Sequence, residues 1–412
     1  MKKFFLILSL FAVIGVYGED FEKVIKATTQ NNLNVKKAYF EMKKAEKLYK
    51  KASLEKAPSM KIQKIRKDVD EAIPTPSLMD KKFDVDKFIM SSPLYVGGKL
   101  EYARKINGIA LEIAKLNYRL IKENSVFQVI EDYFAVMKLL KMLEVSEDAR
   151  EILNVHLKDV ESYFKNGLAL DSDLLKIKVR ISDVDKQIIE LKNNIALIKE
   201  RIIKNTGINP EFNAKEQDIT LKKHEIAAEY LKFRPEYEIM VLNNRIGDIK
   251  IKVAEGEWKP SVYFTYENYS GHDFNDNDSG YSTSIVAEWK FYDFGKSWAG
   301  KQAEEYSKKA NDFELEDVSK SLILEINCSK YNVEKSEALK NVSEIQVANS
   351  KRNLEILKEQ FKEGIVKNTD FLDAQLEYTK SEMEYSSALY DLYVDKYKYL
   401  KSMGSLNKVL DL

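Results

Sequence analysis

The chain is poor in the residues that build most active centres. One Cys among 412 residues (Cys328) excludes an intrachain disulfide and any cysteine cluster for zinc or iron–sulfur. The three His, at 156, 224 and 272, share no metal-ligand spacing, and no Met cluster offers a soft-metal site. No metal and no cofactor are expected. No nucleophile–base constellation is visible, so an enzyme is not expected either. There is no net charge: 66 Lys and Arg balance 66 Asp and Glu. That argues against a nucleic-acid partner held by bulk positive charge. With 44% hydrophobic residues, the chain is not an acidic disordered polymer. Seven Pro and 15 Gly in so long a chain imply long, uninterrupted elements.

The one long apolar run is N-terminal. Met1-Lys2-Lys3 precedes Phe4 to Tyr17, and Gly18-Glu19-Asp20 follows. A basic start, a short apolar stretch and a small residue at a polar boundary predict a secretory signal over 1–18. Its removal takes two Lys and no acid, leaving the mature chain at −2. No later segment could span a bilayer as a helix. An exported chain of this kind can cross a membrane only by β-strands.

What is present is a repeat. Shifted by 197 residues, Tyr95-Val96-Gly97-Gly98-Lys99 falls on Tyr292-Asp293-Phe294-Gly295-Lys296. The same shift places Gly167-Leu168 on Gly364-Ile365, Asp173-Leu174-Leu175 on Asp370-Phe371-Leu372, and Gly207 on Gly404. Four punctuation points on one constant shift mean a tandem duplication. The first repeat spans 19–205: a helix near 21–56, a strand pair within 58–94, and long helices at 99–165 and 170–205. A linker covers 206–234. The second repeat spans 235–404: a helix near 235–257, a strand pair within 260–293, and helices at 296–362 and 367–403. A tail covers 405–412.

The long helices carry heptads. Leu174, Ile177, Ile181, Val184, Ile188, Leu191, Ile195, Ile198 and Ile202 step by three and four, which predicts coiled-coil packing. Tyr102 to Met137 does the same, with Glu123 in the one polar slot. The last helix shows two adjacent seams, one through Leu372, Thr379 and Tyr397, the other through Phe371, Ala374 and Tyr399. A two-stranded coil needs one seam. A helix in a cylinder wall, or in a solid bundle, uses two. Helices of about 65 residues would be roughly 100 Å long, so an elongated molecule is expected.

The second strand pair alternates well: Tyr281, Thr283, Ile285, Ala287, Trp289 and Phe291 against Ser282, Ser284, Val286, Glu288, Lys290 and Tyr292. Its partner runs from Pro260 to Tyr269, with a loop expected over Ser270 to Gly280. Trp258, Trp289 and Trp298 flank this hairpin, as membrane-interface aromatics would. The first pair is basic and alternates poorly, and is assigned mainly from the repeat. Four strands cannot close a pore, and open edges cannot face lipid, so spanning strands require several copies.

These features together resemble the TolC-type outer membrane efflux proteins. The resemblance covers the mature chain and is most specific at Glu363-Gly364-Ile365-Val366-Lys367-Asn368-Thr369-Asp370-Phe371-Leu372-Asp373-Ala374 and at Asn166-Gly167-Leu168-Ala169-Leu170-Asp171-Ser172-Asp173-Leu174. Arg234-Pro235-Glu236 and Pro260 also look like the family pattern. The resemblance implies a mainly α fold with a small membrane β part. Three identical chains would form an α-barrel in the periplasm, topped by a twelve-stranded β-barrel in the outer membrane, four strands per chain. It implies a non-catalytic exit duct with a periplasmic adaptor and an inner-membrane pump as partners. The cargo stays open.

The resemblance maps Asp370 and Asp373 onto an acidic, cation-binding ring at the pore gate. Three apart at a helix start, they would equally complement the helix dipole without any gate. Asp171 and Asp173 are read in that second way. Gly167 and Gly364 are expected to close helices in the left-handed conformation. With Leu168 and Ile365 they form the helix tips where the family's adaptor docks. Cys328 reads as a packed small apolar residue, and His224 and His272 as solvated. The competing reading is an exported coiled-coil scaffold without a pore.

Overall fold

A computed structural model describes residues 19–68, 82–212, 227–273 and 276–410. The expected signal, His224 and the side chain of His272 lie outside the described residues. In chain order the elements are α1 (Glu19–Asn31), α2 (Leu33–Leu54), β1 (Ser59–Asp68), β2 (Lys82–Val96), α3 (Lys99–Lys165) and α4 (Asp171–Thr206). There follow α5 (Pro235–Glu255), β3 (Ser261–Asp273), β4 (Asp276–Glu288), α6 (Lys296–Lys362), α7 (Asn368–Ser402) and α8 (Leu406–Val409). Short 3-10 turns precede α5 and β3. No described helix is long and apolar enough to cross a membrane.

Positive φ recurs at positions 197 residues apart. Gly97 and Gly98 have φ of 67° and 82°; their counterparts Phe294 and Gly295 have 55° and 84°. Gly167 and Gly364 have 71° and 70°, and Gly207 and Gly404 have 72° and 67°. Positive φ is unfavourable for residues with a Cβ, which is why seven of these eight positions are Gly. One expected helix is two. Asn32 breaks it, because its Oδ1 accepts from the amides of Asn34 at 2.9 Å and Val35 at 3.3 Å and so caps α2.

The chain folds into two compact units. Among the described residues, the first takes in 19–39, 118–212, 227–237 and 319–410. Its larger core joins Phe21, Val24 and Ile25 of α1 to Val126–Met137 of α3 and Leu392–Leu400 of α7. A cluster of aromatic rings lies within it: Phe21 is 5.1 Å from Tyr133 and 5.8 Å from Tyr397. A second core gathers Leu153 and Val160 of α3, Leu174 and Ile177 of α4, Leu354 of α6, and Phe371, Leu372 and Ala374 of α7. The α4 heptad is buried or half-buried along its length. Both α7 seams are also covered apart from Leu376, so this helix packs on two sides within one copy.

The second unit takes in, among the described residues, 40–68, 82–117, 238–273 and 276–318. It holds an antiparallel sheet in the order β1-β2-β3-β4, so β1 and β4 each have one neighbour. The ladder puts Val262, Phe264 and Tyr266 opposite Ala287, Ile285 and Thr283. The strands enter the segment that composition reads as loop: β3 continues to Asp273 and pairs with Asp276. Conversely, the alternation through Trp289 to Tyr292 is not strand. β3 begins at Ser261, paired with Glu288, so among the described residues the ladder ends there. The charge of the first pair has a cross-strand explanation. Lys64 lies 3.3 Å from Asp86 and Arg66 lies 3.0 Å from Asp84, directly opposite in register.

Candidate functional site

The first unit contains two helix breaks built alike. At Gly167, the Leu168 amide donates to the Tyr163 carbonyl at 2.8 Å and the Gly167 amide to Phe164 at 2.9 Å. At Gly364, Ile365 donates to Gln360 at 2.9 Å and Gly364 to Phe361 at 3.0 Å. This pattern closes a helix on a left-handed residue. A Cβ at either Gly would meet nothing within 4 Å. Leu168 and Ile365 follow, 77% and 66% exposed, although apolar.

The next helices start with matched carboxylates. Asp173 Oδ2 accepts from the Leu170 amide at 3.4 Å, and Asp370 Oδ2 from the Lys367 amide at 3.0 Å. Each satisfies a donor that a helix start leaves open. Asp370 therefore has a capping role, while Asp373 faces Arg180 of α4, 3.6 Å away. An apolar groove of about 450 Å³ lies beside that pair, lined by Leu175, Val179, Thr369 and Leu372. Both acids are exposed within one copy.

Behind the tips lies a contact that sequence reading missed. His156 of α3 is buried, with Nε2 2.7 Å from Asn368 Oδ1. Asn368 Nδ2 donates in turn to the Asp173 carbonyl at 3.3 Å. The imidazole sits between Phe371 (4.0 Å) and Phe361 (4.8 Å). Burial holds its pKa below the usual histidine value, against the opposing pull of Asn368 and Asp159. The available signal was spacing: Val145, Ala149, Leu153, His156 and Val160 extend the α3 seam and are all buried.

A charged hub closes the unit's other end. Arg234 is buried; Nε and Nη2 donate to Glu236 at 3.1 and 2.9 Å. Nη2 also reaches Glu325 at 2.9 Å, and Nη1 the Ser402 carbonyl at 2.7 Å. Burial would raise the Glu236 carboxyl, but Arg234 outweighs it and holds Glu236 below its ordinary value. Glu123, the polar slot of the α3 heptad, is buried and takes a bond from Asn407 at 3.2 Å. Burial pushes its pKa up.

Other residues fall elsewhere. In the second unit, Trp289 Nε1 donates to the Trp258 carbonyl at 3.0 Å; both flank the helix-side end of the β3–β4 pair. Trp298 lies in the first turn of α6, and all three indoles are exposed. Cys328 is exposed rather than packed. On α6 the inward positions are Leu322, Ile326, Ser329 and Val333, and Cys328 faces away from them. Among the described residues, no cluster of His, Cys, Asp or Glu could hold a metal ion.

Comparison with known proteins fits this architecture. Residues 248–404 match the family model for outer membrane efflux proteins. The fold is that of CusC (TM-score 0.84, 13% identity, 93% of this chain and 92% of that one). VceC from Vibrio cholerae is similar (0.80, 15%, 93% and 96%), as is the CmeC outer membrane channel of Campylobacter jejuni (0.83, 15%, 94% and 86%). No curated protein matches by sequence. Residues 248–404 are thus similar to outer membrane efflux proteins, and nearly the whole chain shares the fold of these channel structures.

Proposed function

We propose that the chain is an outer-membrane exit channel, built from three copies and continuing into the periplasm, that passes cargo received from an adaptor and an inner-membrane pump. The observation that carries this reading is the four-stranded sheet with two open edges. Such edges are aggregation-prone in water and intolerable in lipid unless further strands close them. A scaffold without a pore leaves that sheet without a role. The apolar tips at Leu168 and Ile365 are the proposed adaptor contacts, and Trp258, Trp289 and Trp298 the proposed interfacial anchors.

The helices also call for further copies. In the first unit, α6 exposes Leu324, Tyr331, Leu339, Val342, Ile345 and Ile356. At 3.6 residues per turn these share an arc of roughly 120°. Cys328 lies on the same arc, which makes it a reporter of assembly. A membrane-impermeant maleimide is expected to react about tenfold or more slowly with the assembled protein than with heat-dissociated chains. Equal rates would remove the proposed α6 interface.

Asp370 and Asp373 are the proposed gate. In an assembly around an axis they would give clustered carboxylates that attract multivalent cations. Replacing both by Ala is expected to raise the half-blocking concentration of a multivalent cation by about tenfold in planar-bilayer recordings. Unchanged block would leave these residues as helix caps only. Absence of any conductance from the wild-type protein would overturn the channel reading itself.

A further inference from the structure

His156 ties together all four long helix ends of the first unit. It sits on α3, bonds Asn368 at the start of α7, is flanked by Phe361 of α6, and reaches the Asp173 carbonyl of α4 through the Asn368 amide. We propose that His156 is a proton-operated latch that holds the first turn of α7, and with it Asp370 and Asp373, against the α3–α4 break. The inference rests on the channel reading only in placing that turn at a pore mouth; the latch itself belongs to one copy.

The hydrogen-bond chain fixes the tautomer. Asn368 Nδ2 is committed to the Asp173 carbonyl, so Oδ1 faces the ring and accepts. Nε2 therefore carries the proton and Nδ1 is the site that a second proton would take. Protonation would place a cation in a pocket walled by Phe361 and Phe371. A cavity of about 370 Å³, lined by His156, brings solvent to this point.

The surrounding charges are mostly engaged. From α3 the cavity is lined by Asp148, Glu151 and Asp159; from α6 by Lys358 and Lys362; from α7 by Tyr378 and Glu382. Lys362 pairs with Glu359 at 2.9 Å, and the Tyr378 hydroxyl donates to Glu382 at 2.6 Å. Asp173 of α4 turns its carboxylate to the Leu170 amide and lies 3.8 Å from Lys176. Asp159 is the carboxylate whose field favours an imidazolium, and burial outweighs it. The sign follows: a histidine with a lowered pKa leaves the closed packing intact at neutral pH and weakens it as pH falls below 6.5. The device is also asymmetric. The repeat equivalents of His156 and Asn368 are Asn353 and Asp171, a pair without an imidazole.

Hydrogen–deuterium exchange of the full-length protein at about pH 7.5 and about pH 5, corrected for intrinsic rates, tests this. In the wild type, peptides covering Glu363–Ala374 and Asn166–Leu174 should exchange several-fold faster in acid, while Val126–Met137 stays unchanged. His156→Gln should abolish the difference. No acid response in the wild type, or the same response in His156→Gln, overturns the latch. Planar-bilayer conductance on the same wild-type sample separates the two readings. An acid response without conductance supports the latch and overturns the pore; conductance without an acid response does the reverse.

Discussion

Replacing Arg234 by Ala is expected to destabilise the folded chain by about 3–5 kcal/mol, the cost of removing one partner from a buried charge network. The guanidinium makes four bonds, to Glu236 twice, to Glu325 and to the Ser402 carbonyl. It thereby joins the start of the second repeat to α6 and to the last turn of α7. Without it the Ser402 carbonyl and the Glu236 carboxylate lose their buried donor. Arg234→Lys should recover only part of the loss, since an ammonium cannot reproduce the planar fork on Glu236. Thermal unfolding of the purified protein measures both. A loss below about 1 kcal/mol for the Ala variant would mean the network is solvated. The pH dependence follows from Glu236, whose folded pKa is depressed. Its contribution is full above the ordinary value of 4.5 and fades as pH falls through the lowered value.

Gly97→Ala is expected to be the most damaging single-methyl change at the strand–helix joints. Gly97 follows β2 with φ of 67°, and a Cβ there would lie 2.3 Å from the Gly256 carbonyl oxygen. Gly256 has the reciprocal problem: its own Cβ would lie 2.7 Å from the Gly97 oxygen. Left-handed strain costs about 1–2 kcal/mol, and forcing two backbones apart adds about 1–3 kcal/mol. Gly167→Ala supplies the contrast. Its φ is 71°, but nothing lies within 4 Å, so only the first cost applies. Unfolding midpoints of the two variants should therefore differ clearly. Equal shifts would show that close backbone approach at Gly97 has no energetic weight.

Much of the fold was legible because it is repetitive and local. A heptad sustained along α4 leaves one face to bury, whatever the partner. Gly167 and Gly364 end helices because only Gly enters the left-handed region without strain, and Asp173 and Asp370 sit where a helix start wants an acceptor. The β boundaries were less legible. Trp289 to Tyr292 alternates perfectly well as sequence, yet a strand needs a neighbour, and β3 supplies none beyond Ser261. The first strand pair looked unsuitable because one strand's charges say nothing of the residues opposite. Register brings Asp86 to Lys64 and Asp84 to Arg66.

The candidate site divides in the same way. The helix breaks at Gly167 and Gly364 and the acids of the next first turns could be named from residue type and spacing, and only the resemblance made them tips and a gate. The ties behind them could not. His156 meets Asn368 from 212 residues away, and Arg234 reaches Ser402 from 168. By itself the sequence determined the long helices and the points where they break, since periodicity and left-handed glycines are encoded within a few residues. Only the tertiary structure decided which charges are buried, which carboxylate caps and which faces Arg180, and where an imidazole stands among aromatic rings. Those outcomes depend on desolvation and on pairing between segments that are remote in the chain, and no local pattern records them.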